Sequence, residues 1–567
     1  METVPSTESP STLVGRLTRS VFGLMAIGGL LLWLSMPPVG WSLLAWVAPT
    51  PWCLLILRTE LKGKRPYRQI WMAAWFYWLA TLYFIPIPHP LLWIGWVLMS
   101  AVLAFYPLIL IAASRQAVWR WNMPSWLVIP IVWAGLEWIR GQGPLGFGMV
   151  YLSHSQYQNI AAIQVASIGG AYLLSALMVL FAVGCAYCWI RIRSRSPAPA
   201  TSSEYLPVSP WGATVPVVVG IAISVFGLYS YYSTLEFHAS DETTVPNTII
   251  VQGAIDTEFP DEAHLEKYLR RRVDDYRRLT RIARDKYPDA ELIVWPESAF
   301  LQSVTRDAGE SSDQSDFRDY MHYAVCEDLV SADALPCPPL LTGGPSQKVQ
   351  ERGHRNSAML LHDGQILGVY DKVHRVPFGE YIPFLEFFPQ FESMTPIGVP
   401  LIAGEGAKAI EIPLGADGAV TPVVMLPSVC FESTVPHLIR NHFQQIESNS
   451  GGTVDWMVNL TDDGWFFGTS CLDFHLANNV FRAVEMRRPM LVAANTGFSA
   501  EISPTGKILQ QGERRGEDII ALYVGRTAIQ TSFYRAVGDI PWMACGAIVL
   551  LLVGDLFVSR QSTNSTR

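Results

Sequence analysis

Three residue types that together could perform acyl transfer follow short apolar runs in this chain: Glu297, Lys372 and Cys430. Reactive groups in α/β folds lie at the carboxyl ends of strands. A deprotonated cysteine is an effective nucleophile, a carboxylate can take its proton, and a lysine can stabilise the negative charge of a tetrahedral intermediate. Any one of these residues alone has an ordinary explanation, such as a buried cysteine that only packs. The three types together predict acyl transfer through a cysteine.

Composition indicates where the elements that position these residues lie. The 567 residues are 50% hydrophobic and only 16% charged, whereas a soluble globular protein carries about a quarter charged residues. The formal net charge of -8 provides no basic surface for a phosphate backbone, which excludes a nucleic-acid-binding protein. The length and the apolar excess predict several domain-sized units, some of them in lipid.

Long stretches without a charged side chain predict an α-helical membrane domain, because a spanning helix needs about 20 apolar residues. Prolines mark the turns between helices, since proline breaks a helix. Eight transmembrane helices are predicted, at 20–36, 40–58, 69–86, 91–114, 123–139, 166–190, 212–233 and 538–558. We therefore expect a polytopic membrane domain of seven helices over 1–235 and a C-terminal transmembrane helix over 536–560.

Basic residues in alternate loops predict the orientation of these helices. Arg16, Arg58, Arg115 and Arg191 represent the basic loops, and the intervening loops are poor in positive charge apart from Arg140. The positive-inside rule places the basic loops in the cytoplasm. Both termini are then cytoplasmic, and the polar block before the last helix lies on the outer side of the membrane.

The polar block over 246–527 has the pattern of a separate α/β domain. Short β-branched runs alternate in it with helical patterns, such as the charged helix predicted over 261–287. This alternation favours sheets with helices packed on them. The stretches 304–316 and 445–453 are expected to be loops. We expect no metal and no cofactor, because neither metal-ligand spacing nor a phosphate-binding glycine loop occurs.

The motifs around the three candidate residues resemble the carbon–nitrogen hydrolase, or nitrilase, superfamily, which uses a Glu–Lys–Cys triad in this chain order. They are Trp-Pro-Glu-Ser at 295–298, Tyr-Asp-Lys-Val-His-Arg-Val-Pro-Phe-Gly-Glu-Tyr-Ile-Pro at 370–383 and Ser-Val-Cys-Phe-Glu-Ser at 428–433. With its membrane helices, nearly the whole chain resembles the apolipoprotein N-acyltransferases within that superfamily. The resemblance implies a nitrilase-like αββα sandwich on the periplasmic side of a bacterial inner membrane.

The resemblance also implies a two-step reaction. Glu297 is the general base, and Cys430 takes a fatty acyl chain as a thioester from a phospholipid, usually phosphatidylethanolamine. Lys372 and the backbone N–H of Phe431 stabilise the oxyanion. The amine of a diacylglyceryl-cysteine at the N-terminus of an apolipoprotein then attacks the thioester, which completes lipoprotein maturation. The implied partners are these two substrates and membrane lipid, and the protein is expected to be a monomer.

Supporting residues follow from the same resemblance. Glu380 and Glu432 are expected to orient the lysine and the incoming amine, the alternative being ordinary loop carboxylates. Trp465 either lines the lipid entrance or is a packed core indole. The glycine-rich loop 141–148 is a candidate for contact with the outer domain.

Two cysteines of the outer domain, Cys326 and Cys337, either form a disulfide or stay free, because a periplasmic domain is in an oxidising place. The family commonly has a tyrosine after the nucleophile, where this chain has Phe431. That departure bears on substrate preference more than on reaction type.

Two other functions stay open on the sequence. A membrane-tethered amidase of the nitrilase type would transfer its acyl group to water and hydrolyse a carbon–nitrogen bond, but a hydrolase of soluble amides has no need of seven preceding helices. A membrane scaffold with an inactive nitrilase-like domain is the non-enzymatic alternative. The presence of all three triad residue types argues against it.

Overall fold

A computed structural model describes most of the chain. The described residues are 20–194, 204–208, 212, 214–239, 248–257, 262–299, 301, 303–306, 338–348, 351, 353–363, 365–383, 400–414, 420–450, 452–522 and 530–565. Cys326 and Cys337 lie outside them, so their expected pairing stays a prediction.

Helices form the N-terminal part of the chain. They are α1 (Val21–Ser35), α2 (Thr50–Leu57), α3 (Pro66–Thr81), α4 (Leu92–Leu103), α5 (Phe105–Arg115), α6 (Ser125–Arg140), α7 (Ala166–Ser194) and α8 (Val215–Ala239). Short helical turns lie between some of them, at Ser42–Trp46, Gln116–Arg120, Leu152–Gln156 and Ile160–Ile163.

The α/β part contributes thirteen described strands and three helices. The strands are β1 (Thr248–Gln252), β2 (Leu292–Val294), β3 (Val304–Arg306), β4 (Leu340–Lys348), β5 (Arg355–His362), β6 (Gln365–Asp371), β7 (Ile410–Leu414), β8 (Val420–Val429), β9 (Trp456–Thr461), β10 (Met490–Ala494), β11 (Ala500–Ile502), β12 (Ile508–Gln511) and β13 (Asp518–Leu522). The helices are α9 (Glu262–Lys286), α10 (Pro436–Ser450) and α11 (Ser470–Met486), and α12 (Phe533–Val537) then leads to the C-terminal α13 (Ile540–Ser565).

Four helical stretches among the described residues are long and apolar enough to cross a membrane. They are Leu92–Arg120, Ala166–Ser194, Val215–Leu235 and Ile540–Ser559. The other apolar helices are shorter, and the count of eight spans stays a prediction because a short helix can be accommodated by local thinning of the bilayer.

Prolines divide two of the predicted helices. The helix predicted over 40–58 is shorter, Ser42–Leu57, and is divided: the turn Ser42–Trp46 leads to α2, which begins after Pro49. Likewise α4 and α5 meet at Ala104. Pro107 is the physical reason for this second break, because it has no N–H to donate to the carbonyl four residues earlier and its ring clashes with that carbonyl.

The two predicted loops of the α/β domain are also partly wrong. Residues 304–306 of the first form β3, which pairs with β4, and residues 307–316 lie outside the described part. Residues 445–450 of the second complete α10. That helix continues because Ile439, Phe443 and Ile446 recur at helical spacing and are buried together.

Two sheets packed face to face form the centre of the α/β domain, as the αββα prediction requires. One has the order β13-β1-β2-β4-β5-β6 with β3 added on β4, and the other has the order β12-β11-β10-β9-β8-β7. Side chains alternate between the faces of a strand. In β1, Ile250 therefore packs between the sheets, whereas Ile249 and Val251 pack beneath α9. The predicted fold class is confirmed.

Helices α10 and α11 cover the outer face of the second sheet, and their other side joins the membrane helices. Phe443 of α10 and Phe474 of α11 belong to one apolar cluster with residues of α1 to α8. The α/β domain is thus packed directly on the membrane part.

The basic loops and the α/β domain lie at opposite ends of the membrane helices. At one end, Arg115 donates a hydrogen bond to the carbonyl of Arg58 (2.5 Å). At the other end, the hydroxyl of Tyr381 donates to the carbonyl of Pro144 (3.0 Å). The loop 141–148 therefore contacts the α/β domain, as expected.

The buried carboxylate of Glu485 also joins α11 to α7. The helical course of α7 is interrupted at Gly169 and Gly170, and the next residue, Ala171, donates its backbone N–H to Glu485 (3.0 Å). Arg482 pairs with Glu485 (2.8 Å), and neither side chain is exposed. The carboxylate of Glu485 thus caps a membrane helix from the α/β domain.

Glu485 should make stability depend on pH. Burial raises the pKa of Glu485 from 4.5 to about 7, although Arg482 opposes the shift. A carboxyl group with a raised folded-state pKa stabilises the fold below its unfolded pKa and loses that contribution as pH rises through the folded pKa. Between pH 4.5 and 7 we expect the melting temperature to fall more in the wild type than in Glu485→Gln. Exposed Glu517→Gln is the control, and parallel curves for Glu485→Gln and the wild type would refute the assignment.

The close contact of Gly148 with the α/β domain gives a second prediction. A Cβ atom at Gly148 would lie 2.0 Å from the carbonyl oxygen of Thr434, whereas one at Gly95 would meet no atom within 4 Å. Overpacking costs about 1–3 kcal/mol. We expect Gly148→Ala to lower the melting temperature by several degrees and Gly95→Ala to leave it unchanged. Equal melting temperatures for the two variants would contradict this contact.

Candidate active site

Loops at the ends of strands from both sheets bring the three candidate residues together. Glu297 follows β2, Lys372 follows β6, and Cys430 directly follows β8. Their side chains are buried. Nζ of Lys372 lies 3.7 Å from Oε1 of Glu297, and both charges act on the Cys430 thiol. A base, a cation and a nucleophile therefore share one water-poor site.

Lys372 is held as a cation by two carboxylates. Its Nζ donates to Oε1 of Glu380 (2.7 Å), and Oε2 of Glu380 accepts the backbone N–H of Val376 (2.7 Å). Burial alone would lower the pKa of Lys372, but the charges of Glu380 and Glu297 outweigh it and raise that pKa. Glu380 thus fixes both the position and the protonation state of the lysine.

Two hydrogen bonds orient the Glu297 carboxylate. Asn356 donates to its Oε1 (2.6 Å), and the backbone N–H of Asp462 donates to its Oε2 (2.8 Å). Burial raises the pKa of Glu297, with the Lys372 charge acting in the opposite direction. A carboxylate with a raised pKa is a better acceptor for a thiol proton.

Cys430 occupies a strained backbone position at the start of a sharp turn. Its φ is +54°, in the left-handed region that side chains other than glycine rarely adopt. The turn Cys430–Thr434 begins there, directly after β8. Burial raises the pKa of the Cys430 thiol, Glu297 raises it further, and Lys372 opposes them. The resting thiol is therefore protonated and needs a base before it can attack.

Glu432 binds backbone rather than the lysine side chain. Its Oε1 accepts the N–H groups of Val373 (2.7 Å) and His374 (2.9 Å), and its Oε2 accepts that of Val429 (2.8 Å). The hydroxyl of Tyr370 lies 2.9 Å from both oxygens. This buried carboxylate ties the loop after Lys372 to the nucleophile turn, which differs from the expected orientation of an incoming amine.

The two aromatic candidates differ in their surroundings. The ring of Phe431 stacks on that of His475, with centroids 5.5 Å apart. Trp465 lies in the turn Asp463–Phe466, and 38% of its surface is exposed. This partial exposure favours the lipid entrance over a packed core indole for Trp465.

His475 supports the nucleophile turn, although the sequence assigned it no role. Its Nε2 lies 2.9 Å from the carbonyl oxygen of Cys430, and its Nδ1 lies 2.9 Å from Oδ1 of Asp463. Both partners accept hydrogen bonds, so both ring nitrogens donate when the ring is protonated. Burial would lower the pKa of His475, but Asp463 raises it. The imidazole of His475 thus holds the carbonyl of the nucleophile, and Asp463 favours its protonated form.

The support of Glu297 also escaped the sequence analysis. Asp462, whose N–H binds Glu297, pairs with the buried Arg272 (2.6 Å) and accepts from Asn495 (2.9 Å). Arg272 lies in a run of three arginines. The helical periodicity of that charged segment was the one local sign in the sequence that Arg272 is buried.

Within the described residues, no group of three or more His, Cys, Asp or Glu side chains could hold a metal ion.

Comparison with known families gives two matches along the chain. The family described as apolipoprotein N-acyltransferase N-terminal domain matches residues 28–184. The family described as carbon-nitrogen hydrolase matches residues 252–532. The second range includes all three candidate catalytic residues.

Curated relatives resemble the chain over nearly its full length. A protein of Rhodopirellula baltica named apolipoprotein N-acyltransferase is 27% identical, covering 92% of this chain and 94% of that protein. One of the same name from Geobacter metallireducens is 29% identical, with 92% and 93% covered. A solved carbon–nitrogen hydrolase superfamily protein of Xanthomonas campestris is 16% identical, with a TM-score of 0.32 over 53% of this chain and 96% of that one.

The placement of His475 predicts an effect on the Cys430 thiol. His475→Gln keeps a donor near the Cys430 carbonyl but removes a positive charge, so the thiolate becomes less favourable. We expect alkylation of Cys430 by iodoacetamide, followed by peptide mass spectrometry, to slow at least about threefold at neutral pH. The control is His362→Gln, a partly exposed histidine at the end of β5. Unchanged alkylation in His475→Gln would remove the histidine from this role.

Proposed function

The chain belongs to the apolipoprotein N-acyltransferases of the carbon–nitrogen hydrolase superfamily, and on that premise we propose that Cys430 carries the fatty acyl chain that the enzyme transfers. The protein is an acyltransferase for the N-terminal amine of diacylglyceryl-cysteine lipoproteins, the last step of lipoprotein maturation. The observation that carries the residue assignment is the burial of Glu297, Lys372 and Cys430 in one site.

The first half-reaction forms a thioester. Glu297 takes the proton of the Cys430 thiol, and the sulfur attacks the carbonyl carbon of a phospholipid acyl ester. The tetrahedral oxyanion is stabilised by the Lys372 ammonium and the backbone N–H of Phe431. When the carbon–oxygen bond breaks, Glu297 returns the proton to the departing oxygen, and a lysophospholipid leaves.

The second half-reaction uses the same groups. The free α-amine of the diacylated lipoprotein attacks the thioester carbonyl, and the carbon–sulfur bond breaks. Glu297 takes a proton from the nitrogen, and Cys430 recovers a proton as the amide product leaves. Glu380 keeps the lysine in place through both halves, as its 2.7 Å contact with Nζ supports.

We propose a phospholipid, with phosphatidylethanolamine preferred, as the acyl donor and a diacylated apolipoprotein as the acceptor. Exposed Trp465 and its near neighbour Phe467 provide aromatic surface for the lipid entrance. The assignment of a monomer is supported by the fact that one chain supplies Glu297, Lys372 and Cys430.

The protein belongs in a bacterial membrane, and we propose that its catalytic domain faces the periplasm. Support comes from the positions of Arg58 and Arg115, which lie at the end of the helices away from the α/β domain. Under the positive-inside rule the basic end is cytoplasmic. Both termini are then cytoplasmic as well.

The amidase alternative is not favoured. A soluble-type amidase would account for the carbon–nitrogen hydrolase match alone, whereas the membrane part matches the N-terminal domain of apolipoprotein N-acyltransferases over 28–184. The relatives that match over the full length carry the acyltransferase name.

Removal of the nucleophile tests the mechanism. With purified protein, phosphatidylethanolamine and a diacylated lipopeptide, we expect Cys430→Ala to lower triacylated product by on the order of a thousandfold or more. Glu297→Ala should fail to accumulate acyl-enzyme from radiolabelled phospholipid, because the thiol keeps its proton. Product is measured by mass spectrometry.

The matched control is Cys471→Ala, another buried cysteine of the same domain. It should retain activity if it folds, as judged by its melting temperature. Full activity in Cys430→Ala, or label on a residue other than Cys430, would disprove the thioester mechanism. Water in place of the lipopeptide as the main acyl acceptor would favour the amidase.

A further inference from the structure

A second polar centre lies inside the membrane part, away from the catalytic residues. A cavity of about 70 Å³ is lined by residues of helices α1, α2, α3, α5 and α6 together with residues 150 and 152. Its aromatic lining residues are Trp52, Tyr77, Trp78, Tyr106 and Trp133, and its charged ones are Glu137 and Arg140. The cavity thus combines aromatic walls with one charge of each sign.

The two charges are buried and do not satisfy each other. Glu137 and Arg140 are 7% and 6% exposed, and although they lie one turn apart on α6 they form no ion pair in the described part of the chain. By strict geometry, Oε2 of Glu137 and Nε of Arg140 form no hydrogen bond among the described residues, although the Ser175 hydroxyl lies close enough to act on the Glu137 carboxylate. Charged groups within a membrane are costly, which makes a ligand the first hypothesis for such a pair.

Hydrogen bonds within the protein engage one atom of each side chain. Oε1 of Glu137 accepts from Trp133 (3.1 Å) and from the backbone of Leu152 (2.8 Å), and Nη2 of Arg140 donates to the carbonyl of Val150 (3.0 Å). These bonds support the loop backbone. Oε2 of the carboxylate and Nε of the guanidinium are left for another partner. The guanidinium carbon lies 5.0 to 5.8 Å from the ring centroids of Trp78, Phe147 and Tyr151.

The chemistry of the lining selects a ligand that carries both charges. Aromatic faces and a carboxylate recognise an ammonium group, and the rings of Trp52 and Trp133 lie 5.8 Å apart on this wall. A guanidinium recognises phosphate. A phosphoethanolamine headgroup carries an ammonium and a phosphate a few ångströms apart, in keeping with the one-turn spacing of Glu137 and Arg140.

We propose that this cavity binds the zwitterionic headgroup of a phospholipid, with the ammonium at Glu137 and the phosphate at Arg140. The inference rests on the proposed function for its role in presenting the acyl donor. The loop that follows Arg140 passes against the nucleophile turn, where Gly148 contacts Thr434. A lipid held at α6 is therefore next to the catalytic domain.

Headgroup preference is the direct test. Cys430→Ala protein of full length, which cannot consume the lipid, is titrated with phosphatidylethanolamine and phosphatidylglycerol of the same acyl chains and read by native mass spectrometry. We expect at least a fivefold preference for phosphatidylethanolamine, its loss in Glu137→Gln, and at least fivefold weaker binding of both lipids in Arg140→Gln. Glu411→Gln, exposed on β7, should keep the preference.

Soluble glycerophosphoethanolamine, as a competitor, distinguishes a free headgroup from a lipid: displacement of bound phosphatidylethanolamine shows that the headgroup chemistry drives binding. If Glu137→Gln left the lipid preference unchanged, with or without a lower melting temperature, Glu137 and Arg140 would only support the loop backbone. That result would overturn the proposal. Acyl-enzyme formation with Cys430 present is measured separately. Its absence would end the proposed function while leaving the headgroup preference intact.

Discussion

The Lys372 ammonium is the charge on which the active site depends. It lies 2.7 Å from Glu380 and 3.7 Å from Glu297 in a largely buried site. Burial disfavours every charged form, and it raises the pKa of both Glu297 and Cys430. A fixed cation offsets the free-energy cost of burying a negative charge, whether Glu297 or Cys430 carries that charge. The proposed reaction moves this charge from the carboxylate to the sulfur and then to the oxyanion without moving the lysine.

The nucleophile turn needs side chains that hold its backbone in place, because Cys430 adopts a left-handed backbone conformation. Such strain persists only where the surroundings determine the conformation. Glu432 binds the backbone on both sides of the site, and His475 binds the Cys430 carbonyl. These two buried side chains do not need to touch a substrate to matter, since they fix where the sulfur lies relative to the base.

The catalytic domain is also inseparable from its membrane helices. Phe443 and Phe474 share an apolar cluster with them, and Glu485 caps α7 at Ala171. A reaction between two lipids benefits when both are held next to the nucleophile, because a bimolecular encounter then becomes a positioned reaction. The close packing of Gly148 on the nucleophile turn keeps the site at the junction between the two parts.

The sequence by itself determined the division into membrane and α/β parts, through charge-free stretches and strand–helix alternation, and it identified Glu297, Lys372 and Cys430 by motif and order. It was inexact at 40–58, where Pro49 separates a short turn from α2, and it was wrong at 445–450, where polar residues belong to a helix. Only the tertiary structure determined which side chains pair with one another. Arg272 and Asp462 meet across 190 residues, and the apposition of two sheets, rather than any local spacing, sets which polar groups share a buried site.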